Sequence, residues 1–102
     1  MQIGIASAAQ VTVLWLSPAS GRDNAYLAVH MFQGVDFHPY FKGVEAAMKD
    51  LGGRPHWGKW HYRTARDLRP AYPKFDRFLA VRDRLDPNRL FANAYLERVL
   101  GA

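Results

Sequence analysis

The stretch DFHPYFKGVEAAMKDLGG, residues 36–53, decides the fold because it contains the clearest helix of the chain. Apolar side chains recur at helical spacing on one face of this segment, namely Phe37, Tyr40, Phe41, Val44, Ala47, Met48 and Leu51. Asp36 can cap the first turn, where Pro39 is tolerated, and the pair Gly52-Gly53 ends the helix. The pattern therefore predicts an amphipathic helix that covers an apolar surface.

Upstream of this helix, two apolar segments have the composition of β-strands. VTVLWL (11–16) is β-branched and aromatic, and NAYLAVHMF (24–32) follows it after the loop SPASGRD (17–23). We expect the two segments to pair as an antiparallel hairpin with apolar side chains on both faces. Because the helix at 36–53 can cover only one face, the other face needs a partner, a second copy of the chain, or a further domain.

Downstream of the helix, the sequence predicts three shorter helical elements. Thr64 and Asp67 form a capping box for a short turn of helix. A longer helix begins near Pro73 and ends at the Asp-Pro pair 86–87, and a last helix covers about 91–100. The predicted fold is therefore α+β, an antiparallel β-hairpin followed by an amphipathic helix and a helical C-terminal segment.

The composition is that of one small globular domain over residues 1–102, with 49% hydrophobic residues. The sequence has no cysteine, which excludes disulfides and thiolate metal sites. No stretch reaches the roughly 20 apolar residues of a membrane-spanning helix, and the N-terminus does not have the pattern of a signal peptide. We therefore expect a cytoplasmic protein, with peripheral association with a membrane left open.

Basic charge is concentrated in residues 54–89, which hold ten Lys and Arg residues against four acidic residues. An anionic partner would account for this excess, whether nucleic acid, a membrane surface, a phosphorylated cofactor or an acidic protein. A solvated face of helices would account for it equally well. Charge alone leaves these alternatives open.

The segment GGRPHWGKWH, residues 52–61, has no simple helix or strand pattern. Gly58 allows another group to approach the backbone closely, and Lys59 beside it is placed to meet an anion or a developing negative charge. An ordinary surface lysine is the alternative interpretation. His56 and His61 have a weak spacing for metal ligands, and we predict no metal site.

Beyond these patterns, the chain resembles the C-terminal portion of the FAD-linked aldonolactone oxidases. These include D-arabinono-1,4-lactone oxidase, L-gulonolactone oxidase or dehydrogenase, and alditol oxidase. The resemblance covers about residues 14–101, and its most specific parts are GGRPHWGK (52–59) and RLDPNRLFANAYL (84–96). It implies a parent enzyme in which an N-terminal FAD domain precedes a cap or substrate domain that ends in this segment. The flavin would take hydride from a sugar lactone or polyol and pass the electrons to oxygen or another acceptor.

The resemblance also implies roles for individual residues. Lys59 matches a lysine beside the flavin and the substrate, where an ammonium stabilises negative charge on the reduced cofactor and orients substrate hydroxyls. It is the implied catalytic residue and binds both ligands. His56 matches a histidine beside the flavin. His30 matches the substrate side, although the pattern alone makes it a core histidine within the second strand. Asn93 and Tyr95 are implied to pack against the rest of the enzyme.

The sequence also departs from the family. We expect the FAD-binding domain to be absent from the chain. Residues 1–10 diverge, and the family's Glu-x-Arg pair is replaced within them by GIASAAQ (4–10). We therefore expect the isolated chain to bind no FAD, to be inactive, and to associate with the missing FAD domain or a second copy of itself. A non-catalytic basic binding module and a structural oligomer are the alternative functions, and nucleic acid is the less favoured partner.

Overall fold

The structure is a computed structural model that describes residues 6–9 and 13–102. Its helices are α1 (His38–Asp50), α2 (Ala65–Leu68), α3 (Phe75–Leu85) and α4 (Ala94–Leu100), with a 3-10 turn at Arg69–Ala71. Its strands are β1 (Ala6–Ala9) and β2 (Asn24–Tyr26). The described residues form two compact units. The first contains both strands, α1 and the chain up to Tyr62, and the second contains Leu14–Leu16 and Arg63–Ala102.

The predicted hairpin of residues 11–16 with 24–32 is wrong, whereas the helical part of the predicted fold is confirmed. The antiparallel pair joins β1 to β2 instead, with Ala6 opposite Tyr26 and an irregular register between its ends. Only the first three residues of the segment 24–32 belong to this pair. The described chain is therefore mostly helical, with a short two-stranded ladder.

The two predicted strands fail for different reasons. Within the described residues 13–16, Trp15 and Leu16 form a turn, and Leu14–Leu16 group with the helical second unit; residues 11 and 12 lie outside the described residues. After Tyr26 the chain leaves the ladder, although Val29 is still buried. A β-branched and aromatic composition favours a strand only where a neighbouring strand is available to pair with it. Among the described residues of the two segments Val29 is buried, whereas Val13, Leu14, Leu27 and Phe32 are more than half exposed.

Helix α1 ends where the local sequence signals predict, whereas its N-cap is Phe37 and not the predicted Asp36. Asp36, one residue earlier, accepts a hydrogen bond at Oδ1 from the backbone N–H of His38 at 3.0 Å. At the other end Gly52 has φ +76°, and Gly53 N donates to Met48 O at 2.6 Å. The positive φ of Gly52 and the bond to Met48 O belong to a Schellman motif. This motif provides hydrogen-bond donors for the last carbonyls of the helix and turns the chain sharply. The predicted helix and its glycine stop are confirmed.

Gly53→Ala is expected to destabilise the chain, whereas Gly43→Ala is expected to stabilise it. A Cβ at Gly53 would lie 2.6 Å from the backbone oxygen of Met48, which cannot move without opening the helix end. We expect a loss of about 1–3 kcal/mol in the free energy of unfolding. Gly43 lies inside α1, and no described atom is within 4 Å of its Cβ position, so alanine there gains about 0.8–1.0 kcal/mol.

Urea unfolding followed by far-UV circular dichroism measures both glycine substitutions on the same chain. Gly43→Ala is the matched control, because it adds the same methyl group inside α1, whereas Gly53 lies just after the end of that helix. Equal stability of Gly53→Ala and the wild-type chain would show that the helix end tolerates a side chain there.

The second unit is built on one small core. Its four most buried apolar side chains are Leu68, Tyr72, Phe75 and Val99. They come from α2, from the residue after the 3-10 turn, from α3 and from α4, so all three helices contribute to the same core. The predicted capping box at the start of α2 is confirmed, since Thr64 N donates to Asp67 Oδ2 at 3.1 Å.

The segment between α3 and α4 is held by its own side chains. The carboxylate of Asp86 accepts hydrogen bonds from Leu90 N at 2.8 Å and Phe91 N at 3.1 Å. Arg89 adopts a positive φ of 56° and donates to Asp83 Oδ1 at 2.7 Å. Asn93 Oδ1 then accepts from the backbone of α4 and caps that helix. The most specific C-terminal motif of the sequence therefore builds the corner between two helices.

Candidate functional site

The candidate site is built around a tight turn at residues 56–59. Lys59 N donates to His56 O at 3.0 Å, and Gly58 N donates to His56 Nδ1 at 3.1 Å. Because Nδ1 accepts this bond, the ring proton of neutral His56 belongs on Nε2, which can donate to a ligand. A Cβ at Gly58 would lie 3.3 Å from His56 Cε1, so glycine gives the imidazole room to fold over the turn.

Lys59 is exposed at the end of this turn. Its backbone position is fixed by the bond to His56 O, whereas among the described residues none hydrogen-bonds or ion-pairs with its ammonium. The turn therefore presents a positive charge from a fixed backbone position. A lysine ammonium has three N–H donors, which suits several oxygen acceptors on one ligand.

An open cleft of about 330 Å³ lies beside the turn and is lined by Pro18, Tyr26, His56 and Trp57. Tyr26 is the last residue of β2, and Pro18 belongs to the loop before it. The wall of this cleft is mostly apolar, and its titratable side chains are those of His56 and Tyr26. An apolar surface with a few polar groups at its edge is the usual character of a small-molecule site.

Two arginines tie the loop at residues 17–22 to the segment that carries the turn. Arg54 Nη1 donates to Pro18 O at 3.2 Å and to Ser20 O at 2.7 Å. Arg22 Nη2 donates to Gly52 O at 2.8 Å. These bonds join parts of the chain that are at least 30 residues apart, and they bring the wall containing Pro18 to the turn.

The chain after the turn is anchored to α1 by an aromatic cluster. Trp60 contacts Phe37 with ring centroids 5.1 Å apart, and His38 Nδ1 is 2.5 Å from the hydroxyl of Tyr62. Glu45 Oε2 accepts a hydrogen bond from Tyr62 N at 2.8 Å. The turn at 56–59 is therefore held on one side by the arginine ties and on the other by α1.

The structure brings together two of the three predicted site residues. His56 and Lys59 share the turn, as their spacing requires. His30 is exposed, lies outside β2, and is not among the described residues that line the cleft, so the prediction that it is a core histidine within a strand is wrong. The functional roles of all three residues stay predictions.

Sequence reasoning missed the residues that give the cleft its shape. Neither the contacts of the Arg54 side chain nor the position of Tyr26 beside His56 could be inferred from the sequence. The one available signal was the position of Arg54 inside GGRPHWGK, the most specific motif of this region. Its partners could not be read from the sequence because they lie in a distant loop.

Much of the basic excess in residues 54–89 has a structural use. Arg54 binds backbone carbonyls, Arg69 pairs with Asp76 at 2.9 Å, and Arg82 Nη1 donates to Gly101 O at 2.9 Å. These contacts do not favour an interface with nucleic acid.

Residues 6–9 and 13–102 contain neither a metal-binding cluster nor a membrane-spanning helix. In that part of the chain no group of three or more His, Asp or Glu side chains could hold a metal ion. Nor does any helix there have the length and apolar character needed to cross a bilayer.

Comparison with known proteins identifies the family. The model of the family described as D-arabinono-1,4-lactone oxidase matches residues 6–99, which is nearly the whole chain. The chain belongs to the D-arabinono-1,4-lactone oxidase family. The resemblance drawn from the two sequence motifs is thereby confirmed.

Several relatives in this family are similar over most of the chain. The chain is 60% identical over 87 residues to L-gulono-1,4-lactone dehydrogenase of Mycobacterium tuberculosis, a match that covers 85% of this chain and 20% of that protein. It is 46% identical over 88 residues to L-gulonolactone oxidase of Bos taurus, with coverages of 82% and 20%. It is 36% identical over 89 residues to alditol oxidase of a Streptomyces species, with coverages of 84% and 21%.

The chain therefore spans about a fifth of the length of these relatives. No solved structure is significantly similar to it.

Proposed function

We propose that this chain is the C-terminal part of the substrate region of an FAD-dependent aldonolactone oxidoreductase. The reaction is oxidation of a hydroxyl-bearing carbon of a sugar lactone or polyol, with hydride transfer to the flavin. One observation carries the proposal: the turn at 56–59 presents the exposed Lys59 and the His56 ring beside an apolar cleft. The names of the relatives support a sugar lactone or polyol as the substrate class.

The residues of the site fit one edge of a flavin ring. The pyrimidine edge of that ring carries oxygen and nitrogen acceptors, which match the donors of the Lys59 ammonium and His56 Nε2. Trp57 and Tyr26 provide flat apolar surface beside them. A cleft of about 330 Å³ is at the small end of ligand sites, so we expect most of the cofactor to be held by surfaces outside this chain.

When bound, FAD supplies the acceptor for the two electrons and the hydrogen that leave the substrate carbon. The residues of this chain act around that acceptor. The Lys59 ammonium stabilises the negative charge that develops, and the closed turn fixes the backbone from which this side chain extends. His56 Nε2 donates to a hydroxyl or carbonyl oxygen and so orients the ligand. His30 remains a proposed contact on the substrate side.

A chimera tests this function directly. The matched 87-residue stretch of the M. tuberculosis dehydrogenase would be replaced by the corresponding residues of this chain. We expect the purified chimera to retain flavin and to reduce an acceptor dye when L-gulono-1,4-lactone is added. The parent dehydrogenase is the positive control, and the 102-residue chain alone is expected to retain no flavin.

Two outcomes would overturn the proposal. A folded, flavin-loaded chimera without lactone-dependent dye reduction would show that this segment cannot complete the site. Stoichiometric flavin in the purified 102-residue chain would show that the chain holds the cofactor by itself, not as one wall of a larger site.

A further inference from the structure

Arg54 is the residue that connects the two sides of the cleft. Its Nη1 donates to two carbonyls of the same loop, Pro18 O at 3.2 Å and Ser20 O at 2.7 Å. Pro18 itself lines the cleft, and Arg54 is two residues before His56, which also lines it. One partly buried guanidinium thus binds the loop that contains Pro18 to the segment that carries the turn.

We propose that Arg54 is a positioning residue, which sets the distance between the loop at 17–20 and the turn at 56–59 and so fixes the shape of the cleft. Its importance for catalysis rests on the proposed function of that cleft. Arg54 acts through Pro18 and His56 and is not a group that reacts.

The backbone around Arg54 is constrained on both sides. The preceding Gly53 is held by its bond to Met48 O at the end of α1, and the following Pro55 restricts Arg54 to extended conformations. The side chain therefore leaves a fixed backbone, and its Nη1, which carries two N–H donors, reaches both carbonyls. A lysine side chain is one atom shorter, and its ammonium on a flexible stem does not have the fixed donor geometry of the planar guanidinium.

The turn has its own hydrogen bonds, which gives the proposal a specific signature. Lys59 N to His56 O and Gly58 N to His56 Nδ1 do not involve Arg54. Loss of the guanidinium is therefore expected to leave the turn intact while releasing it from the loop. A residue that merely stabilised the whole unit would disturb the turn and the loop together.

The test is nuclear magnetic resonance on the isotope-labelled 102-residue chain and three variants. Arg54→Lys removes the guanidinium and keeps the positive charge, and Arg54→Met removes both. Arg22→Lys is the matched control, since Arg22 also ties this loop to the motif segment, but through Gly52 O, outside the cleft.

In both Arg54 variants we expect the carbonyl carbon resonances of Pro18 and Ser20 to shift, because their hydrogen bonds are lost. We also expect loss of the nuclear Overhauser effects that cross the cleft from Pro18 and Tyr26 to His56 and Trp57. The amide resonances of the turn should stay near their wild-type positions. Arg22→Lys should keep the effects that cross the cleft.

Four results would overturn the proposal. The first three are unmoved carbonyl resonances of Pro18 and Ser20 in both Arg54 variants, persistence of the effects across the cleft in both variants, and absence of those effects from the wild-type chain. Collapse of spectral dispersion throughout Arg54→Lys would assign Arg54 to the fold and not to the cleft. No cofactor enters this experiment, so its outcome is separate from the flavin content and activity of the chimera.

Discussion

Lys59→Ala in the flavin-loaded chimera is expected to lower the turnover number roughly 100- to 1,000-fold, which corresponds to about 3–4 kcal/mol of transition-state stabilisation. The reason is the loss of a positive charge held beside the reacting centre before the reaction starts. The fold should be unaffected, because the turn is closed by backbone and His56 bonds, and no described residue pairs with the ammonium. Steady-state dye reduction with L-gulono-1,4-lactone measures the turnover number and KM separately.

Lys74→Ala is the matched control for this substitution. Lys74 is also an exposed lysine, but it lies before α3 in the second unit and is not among the residues that line the cleft. Its turnover number should equal that of the unsubstituted chimera. Flavin absorbance of each preparation distinguishes a loss of cofactor from a loss of chemistry. If Lys59→Ala turned over as fast as Lys74→Ala with full flavin content, Lys59 would be an ordinary surface lysine.

The helices could be predicted from the sequence because their signals are local. Asp36 binds the N–H of His38, and Gly52 takes the positive φ that ends α1, each within a turn of the helix that it defines. In the capping box of α2, the side chain of Asp67 accepts a hydrogen bond from the backbone N–H of Thr64, three residues earlier. Such contacts depend on short sequence distances, which a reader of the sequence can see directly.

The strands could not be predicted, because pairing is a long-range choice. The composition of residues 13–16 is that of a strand, yet Leu14–Leu16 group with the helices of the second unit. Val29 is buried outside the ladder, so a single apolar side chain can be covered without a strand partner. The pattern indicated which segments are apolar, but not that Val13, Leu14, Leu27 and Phe32 would stay exposed.

The candidate site, like the fold, was predictable only where its contacts are local in sequence. The motif GGRPHWGK brought His56 and Lys59 together, since both lie within one turn. The cleft beside them depends on Pro18 and Tyr26, which Arg54 and β2 bring from another part of the chain. The sequence therefore indicated His56 and Lys59, but it did not indicate the apolar wall of the cleft beside them.

Phe75→Ala is expected to cost about 3–5 kcal/mol in the free energy of unfolding, whereas Phe91→Ala should cost less than about 0.5 kcal/mol. The two residues are 1% and 80% exposed, although both belong to the second unit. Because a small domain has only about 5–15 kcal/mol of total stability, Phe75→Ala should remove a large share of it and clearly lower the urea midpoint. Urea unfolding of both variants under one condition gives the comparison.

Phe91 is expected to matter for association instead. Phe91 lines an apolar groove of about 430 Å³ formed by α3 and α4, and Leu90 beside it is 78% exposed. In a twofold pair of copies the same surface of each copy contacts the other. An apolar groove with the exposed Phe91 in its wall suits such a contact, because each copy can bury the apolar surface of the other. We therefore expect light scattering to give the wild-type chain a mass above 11.6 kDa and Phe91→Ala a lower mass at equal concentration. Equal masses for the two folded chains would exclude this groove as the contact, because truncating a side chain in its wall removes the apolar surface that the second copy would bury.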